Sequence, residues 1–267
     1  MATSAIKNKQ YPFEFIRDKM HVSIFSSRNE MGKKAAEDTS AKIMELLSER
    51  DEINMIFAAA PSQNEFLTYL IQNQSIQWNK INAFHMDEYI GLHKDAPQSF
   101  GNFLKDRIFS KVEFKTVHYI NGLADDIRKE CIRYEKLLID NPTDIVCLGI
   151  GENGHIAFND PPVADFNDKV LVKDVDLDLS CRQQQVNENC FDAIERVPQR
   201  AITLTIPALI RAKYLFCIVP SANKAKAVYN TLHNEINEKC PATILRSKEH
   251  TKLYLDEDSS KLIKVKL

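Results

Sequence analysis

Two consecutive carboxylates follow an apolar run directly in Phe84-His85-Met86-Asp87-Glu88-Tyr89-Ile90-Gly91-Leu92. Burial penalises the charged form of a carboxyl and raises its pKa, and a carboxyl poised nearer neutrality can carry a proton between neighbouring carbons. Acidic residues also favour turns, so the same pair reads as Asp87 capping a turn with Glu88 in solvent. A second segment, Leu148-Gly149-Ile150-Gly151-Glu152-Asn153-Gly154-His155-Ile156-Ala157-Phe158-Asn159-Asp160, sets three glycines after another apolar run. Gly149 and Gly151 let a ligand approach the main chain closely. Histidine is the residue type in this segment that titrates near neutrality, which makes His155 a candidate acid and base, with Asp160 orienting one ring nitrogen as in a triad. A histidine held by a structural hydrogen bond is the alternative. The glycine spacing is not the dinucleotide-binding pattern in its usual setting.

Two further junctions suit an anion. In Ala58-Ala59-Ala60-Pro61-Ser62-Gln63-Asn64-Glu65, the Ser62 and Glu65 spacing predicts a capping box. The same helix start offers free amides and a positive dipole end, which makes Ser62 and Gln63 candidate phosphate ligands. In Val219-Pro220-Ser221-Ala222-Asn223-Lys224-Ala225, a lysine stands at a helix start, where the dipole disfavours it by about 0.3–1 kcal/mol. A bound anion would offset that cost; a solvated surface lysine is the alternative.

Positioning these groups requires an alternating α/β chain. Runs rich in apolar and β-branched residues predict strands at His21–Phe25, Ile53–Ala59, Ile81–Met86, Asp144–Ile150, Ala201–Ile206, Lys213–Val219 and Lys252–Leu255. Helical periodicity fills Met31–Leu47, Glu65–Gln72, Ser99–Phe109, Asp125–Leu138 and Asn223–Leu232. Most strands lack clean alternation and read as buried on both faces, which predicts a mostly parallel, doubly wound, Rossmann-like sheet with helices on both sides. All four candidate motifs fall just after predicted strands, where such sheets bind ligands. Residues 1–267 read as one domain, with the irregular stretch Pro161–Pro198 as a lid or inserted loop.

Of the 267 residues, 44% are hydrophobic and 27% charged, a globular composition, and the formal net charge of -2 supplies no basic field for nucleic acid or an anionic membrane. An anionic ligand must therefore be held locally. The six cysteines form no CxxC pair and read as reduced thiols, which argues against a zinc ribbon or redox motif. No apolar run approaches a membrane span and Met1–Asp18 has no continuous apolar core, so the expected location is the cytoplasm.

Taken together, the motifs resemble the glucosamine-6-phosphate deaminase/isomerase family from about Ile53 to Glu257. Met86-Asp87-Glu88-Tyr89-Ile90-Gly91-Leu92, the following Pro97-Gln98-Ser99-Phe100, and Gly154-His155-Ile156-Ala157-Phe158-Asn159 are similar to the family's motifs in order and spacing. The resemblance implies an oligomeric enzyme that needs no cofactor or metal and releases ammonia from glucosamine 6-phosphate. A related hexose-phosphate isomerase, a 6-phosphogluconolactonase-like hydrolase, and a sugar-phosphate binder without catalysis are the alternatives. It implies Asp87 as the base between C1 and C2, His155 as the ring-opening group, and Lys224 as a phosphate ligand. Asn153 and Asp160 occupy the positions of two acids that flank that histidine. Here the sequence departs from the family, because Asn153 cannot ionise and Asp160 is one methylene shorter than the usual Glu. Asn153 is expected to accept the imidazole N–H through its amide oxygen. Pro61-Ser62-Gln63 replaces a glycine-rich phosphate loop, so Lys169, Lys173 or Arg182 are expected to substitute.

Overall fold

The computed structural model describes residues 11–263. Its strands, in chain order, are β1 (Phe13–Arg17), β2 (Met20–Phe25), β3 (Ile53–Phe57), β4 (Ile81–His85), β5 (Asp87–Tyr89), β6 (Thr116–His118), β7 (Ile145–Leu148), β8 (Val172–Asp176), β9 (Arg200–Leu204), β10 (Tyr214–Val219) and β11 (Thr251–Asp256). Its helices are α1 (Arg28–Glu49), α2 (Asn64–Ile71), α3 (Phe100–Leu104), α4 (Ile127–Asp140), α5 (Leu179–Asn187), α6 (Ile206–Ile210) and α7 (Ala225–His233). Eight strands form one sheet in the order β1-β2-β11-β10-β7-β3-β4-β6. Every neighbouring pair in it is parallel except β1 with β2 at one edge.

Alternate residues of each central strand enter two separate cores. Ile145 and Cys147 of β7, with Phe216 and Ile218 of β10, pack with α1 and α2, whereas Val146, Leu148, Cys217 and Val219 pack with residues of α4 and α7. Apolar side chains on both faces explain why these strands read as unbroken hydrophobic runs. Helix α1 starts where Ser27 Oγ accepts the Glu30 N–H at 3.2 Å. Its buried Met31, Ala35, Ala36, Thr39, Ile43 and Leu46 recur every three to four residues.

From β3 the chain winds towards β4 and β6, and from β7 it winds the other way towards β10 and β11. The winding therefore reverses between the adjacent strands β3 and β7, and the crevice at their carboxyl ends is the position where this architecture holds ligands.

A second sheet, antiparallel and ordered β5-β9-β8, stands beside the first. The chain passes between the sheets at Met86, whose carbonyl accepts the Leu204 N–H at 2.8 Å. The strand predicted at Ala201–Ile206 is thus the centre of this small sheet, not a member of the parallel one. Strands β5 and β8 are short and carry charge, which hid them from a reading based on apolar runs. The stretch Pro161–Pro198 carries β8, α5 and a turn at Ile194–Arg196. Helix α3 continues into a π turn at Lys105–Phe109, closed by Ser110 N–H to Lys105 O at 3.1 Å.

Candidate active site

A cavity of about 400 Å³ opens at the switch point. Ser62 reaches it from the β3–α2 turn, Asp87 from the start of β5 just past β4, Gly149, Gly151 and His155 from the loop after β7, and Lys224 from the turn before α7.

Asp87 is held by its main chain while its carboxyl is left for a ligand. Its N-terminal neighbour strand ends at His85, a fully buried imidazole whose Nε2 accepts the Ile120 N–H at 2.9 Å. With Nε2 an acceptor, the ring proton belongs on Nδ1, which lies 2.9 Å from the Asp87 carbonyl. Burial lowers the His85 pKa and keeps that neutral form. The Tyr134 hydroxyl accepts the His85 N–H at 3.0 Å and donates to the His85 carbonyl at 2.9 Å. Burial first, and the Glu88 charge second, push the Asp87 carboxyl well above the usual carboxylate range.

Neither half of the turn-and-solvent reading of Asp87-Glu88 holds. Both residues lie in β5 and are buried. Glu88 accepts from Ser99 Oγ at 2.8 Å, from Phe100 N–H at 3.1 Å and from Gly101 N–H at 2.8 Å, so it anchors the start of α3.

His155 Nδ1 lies 2.8 Å from Asp160 Oδ1. Burial alone would raise the Asp160 pKa, but the facing His155, with the hydrogen bond from Asn153, outweighs it and holds the carboxyl below its usual range. Asn153 does not receive the imidazole N–H as expected. Its Oδ1 accepts the His155 main-chain N–H at 3.0 Å, and its Nδ2 donates to Asp160 Oδ1 at 2.8 Å and to Ser180 Oγ at 3.1 Å. It thus bears on the carboxylate, not on the ring. Gly154 turns the loop with φ +89°, a conformation that suits glycine.

That geometry predicts the outcome of Asn153→Asp. The new side chain keeps an acceptor for the His155 N–H but replaces an N–H donor with a carboxylate against Asp160. Two adjacent carboxylates resist ionising together, so the pair's pKa rises. A raised folded-state pKa gives stability that is full below the ordinary carboxylate value and is lost as pH rises through the raised one. The expected loss near neutral pH is about 1–3 kcal/mol, shrinking towards pH 4. Melting temperatures of variant and wild type measured across that range check it, and equal values throughout would contradict it.

The anion-binding expectations fare unevenly. Ser62 lines the cavity, but the capping box is absent: the N-cap of α2 is Gln63, with no side-chain cap. A short turn at Pro61–Gln63 precedes the helix, and Glu65 instead pairs with Arg28 Nε at 2.7 Å. Gln63 is buried behind the loop, donating to Ser62 Oγ at 3.0 Å and the Ile218 carbonyl at 3.2 Å, and does not line the cavity. Lys224 has its anion already: Nζ lies 2.8 Å from Glu188 Oε1. Lys169 is exposed, Lys173 binds the Val163 carbonyl and Asp168, and Arg182 binds the carbonyls of Ile194 and Val197. None of these three lines the cavity, so the expected substitutes are not there. A cation that the sequence reading missed, Arg107, is.

Among the described residues, His155, Asp160 and Cys181 form the cluster that could hold a metal, with ligand atoms within 4.8 Å of one another. Its donor set fits poorly: burial and the Asp160 charge push the Cys181 thiol well above its usual range, so it keeps its proton.

Comparison with known proteins follows the same line. Residues 26–255 match the family described as glucosamine-6-phosphate isomerases/6-phosphogluconolactonase. The glucosamine-6-phosphate deaminase of Bacillus cytotoxicus is 35% identical over 192 residues, covering 72% of this chain and 71% of that protein. The glucosamine-6-phosphate deaminase of Listeria innocua is 31% identical over 229 residues, 84% of this chain and 95% of that one. A solved monomeric glucosamine-6-phosphate deaminase superposes with a TM-score of 0.81 at 29% identity, over 91% of this chain and 99% of its own.

Proposed function

This chain belongs to the glucosamine-6-phosphate isomerase/6-phosphogluconolactonase family, and from that membership we propose that it converts glucosamine 6-phosphate and water into fructose 6-phosphate and ammonia. The observation that carries this reading is Asp87, a buried carboxyl with a raised pKa facing the same cavity as His155. A proton shuttle between carbons must give up its proton as readily as it takes one, and a carboxyl held well above its usual range is a stronger base for that task than an ordinary carboxylate.

In this reading His155 moves the proton of the C1 hydroxyl to the ring oxygen and opens the sugar, with Asp160 stabilising the imidazolium that forms in passing. Asp87 then takes the C2 proton and returns it to C1, while the C1 oxygen gains one proton and the C2 amine gives one up, so the step is balanced in protons. The C2 amine becomes an imine, and water replaces it, releasing ammonia and leaving the ketone. No cofactor enters these steps. Gly149, Gly151 and Ser62 border the cavity where the sugar would lie, and Arg107 and Lys224, which also line it, would face its phosphate.

All the groups named come from one chain, so the proposed chemistry is complete without a partner subunit; association into an oligomer, expected from the resemblance, would then serve stability or regulation. We take the described residues 11–263 as one domain, because Ile202 and Leu204 of the small sheet share a core with Val146 and Leu148 of the large one; the ends of the expected 1–267 span lie outside the described residues. Six unpaired cysteines support a cytoplasmic setting, and no helix among the described residues is long and apolar enough to cross a membrane.

A substrate panel tests the reading. Ammonia should appear with glucosamine 6-phosphate and not with unphosphorylated glucosamine at the same concentration. Faster hydrolysis of 6-phosphogluconolactone than deamination would transfer the assignment to the hydrolase branch, in which Asp87 has no proton to carry between carbons.

A further inference from the structure

Two cations, Arg107 and Lys224, line the cavity, and they are not equivalent. Lys224 Nζ lies 2.8 Å from Glu188 Oε1, with the two side chains 5% and 12% exposed. The same oxygen accepts from Gln184 Nε2 at 3.0 Å, which fixes the carboxylate in place. A phosphate approaching Lys224 therefore meets a charge that is already matched and a carboxylate that repels it. Arg107 has no carboxylate within ion-pair distance among the described residues. Its Nε donates to Asn64 Oδ1 at 2.7 Å and its guanidinium lies 3.8 Å from the Phe103 ring centroid, which leaves both terminal nitrogens unspent. It is carried by the π turn Lys105–Phe109, an insertion that re-aims side chains and recurs at functional sites. Glu188, Arg107 and Lys224 all line the same cavity, with Cys190 beside them in its wall.

We propose that Arg107 is the anion anchor of this cavity and that Glu188 restrains Lys224, making Glu188 the residue that sets how strongly the pocket holds a phosphate. This rests on the reading that the ligand is a sugar phosphate. A guanidinium held by Asn64 and Phe103 presents two parallel N–H donors to a phosphate, a match that an ammonium already bound to a carboxylate does not offer.

The test is calorimetric titration of the full chain with inorganic phosphate and with glucosamine 6-phosphate at fixed ionic strength, with melting curves to establish folding. Arg107→Met should weaken both by about a hundredfold, and Arg107→Lys, which keeps charge but loses the fork, by about tenfold. Glu188→Gln frees Lys224 and should tighten inorganic phosphate by about tenfold. The double variant Lys224→Met with Glu188→Gln removes a neutral pair and should bind within about threefold of wild type. A double variant that loses as much as Arg107→Met would overturn the assignment of the anchor, and unchanged or weaker binding in Glu188→Gln would overturn the restraint. Because these readouts need no turnover, the expected binding pattern in a protein that releases no ammonia would support the anchor while removing the deaminase reading.

Discussion

Replacing Asp87 with Asn should lower kcat on glucosamine 6-phosphate by about a thousandfold or more, within the range a positioned acid–base group supplies, while leaving sugar-phosphate binding intact. The swap is isosteric and the main-chain bond from His85 to the Asp87 carbonyl survives it. Stability should move the opposite way from activity. A buried carboxyl whose folded pKa is raised binds protons more tightly folded than unfolded, so its contribution is full below the ordinary carboxylate value and is lost as pH rises through the raised one. Asn escapes that loss, so the variant should melt above wild type at pH 7 and not at pH 4. The active form of Asp87 is the carboxylate, hence wild-type turnover should fall as pH drops through its raised pKa. Turnover of the variant within a few-fold of wild type would remove Asp87 from the mechanism.

Gly151→Ala should be nearly as damaging, through a different cause. A β-carbon at this position would overlap Cε1, Nε2 and Cδ2 of the His155 ring. Gly151 does not have the positive φ that would strain alanine, so the main chain tolerates the change and the ring must leave. Loss of the ring from its place beside Asp160 should reduce kcat by about a hundredfold or more. The reaction of the cyclic sugar should suffer most, since ring opening is the step assigned to His155. Comparing the variant on cyclic and on pre-opened substrate separates the steps, and equal losses on both forms would contradict that assignment.

Asp87 and His155 could be found in the sequence because each follows a strand that reads as an unbroken apolar run, and this architecture collects strand ends at one crevice. The parallel sheet and its two helical faces were legible for the same reason. What stayed hidden depends on contacts between distant segments. Glu88 looks like a solvated turn residue until Ser99, Phe100 and Gly101 are folded onto it. Arg107, between Asp106 and Ile108, reads as the polar face of a helix, and nothing local announces a π turn. Glu188 lies in a stretch with no periodicity, and only the fold brings it to Lys224, thirty-six positions away. The local signal at Ser62 and Glu65 was real but lost to a tertiary partner, Arg28.

The proposed chemistry is most directly tested by following ammonia and fructose 6-phosphate together from purified protein and glucosamine 6-phosphate near neutral pH. The two should appear one for one in wild type and at about a thousandth of that rate or less in Asp87→Asn, with equal binding of the substrate by both. Binding by wild type with neither product formed at any pH would contradict the enzyme and leave a sugar-phosphate-binding protein.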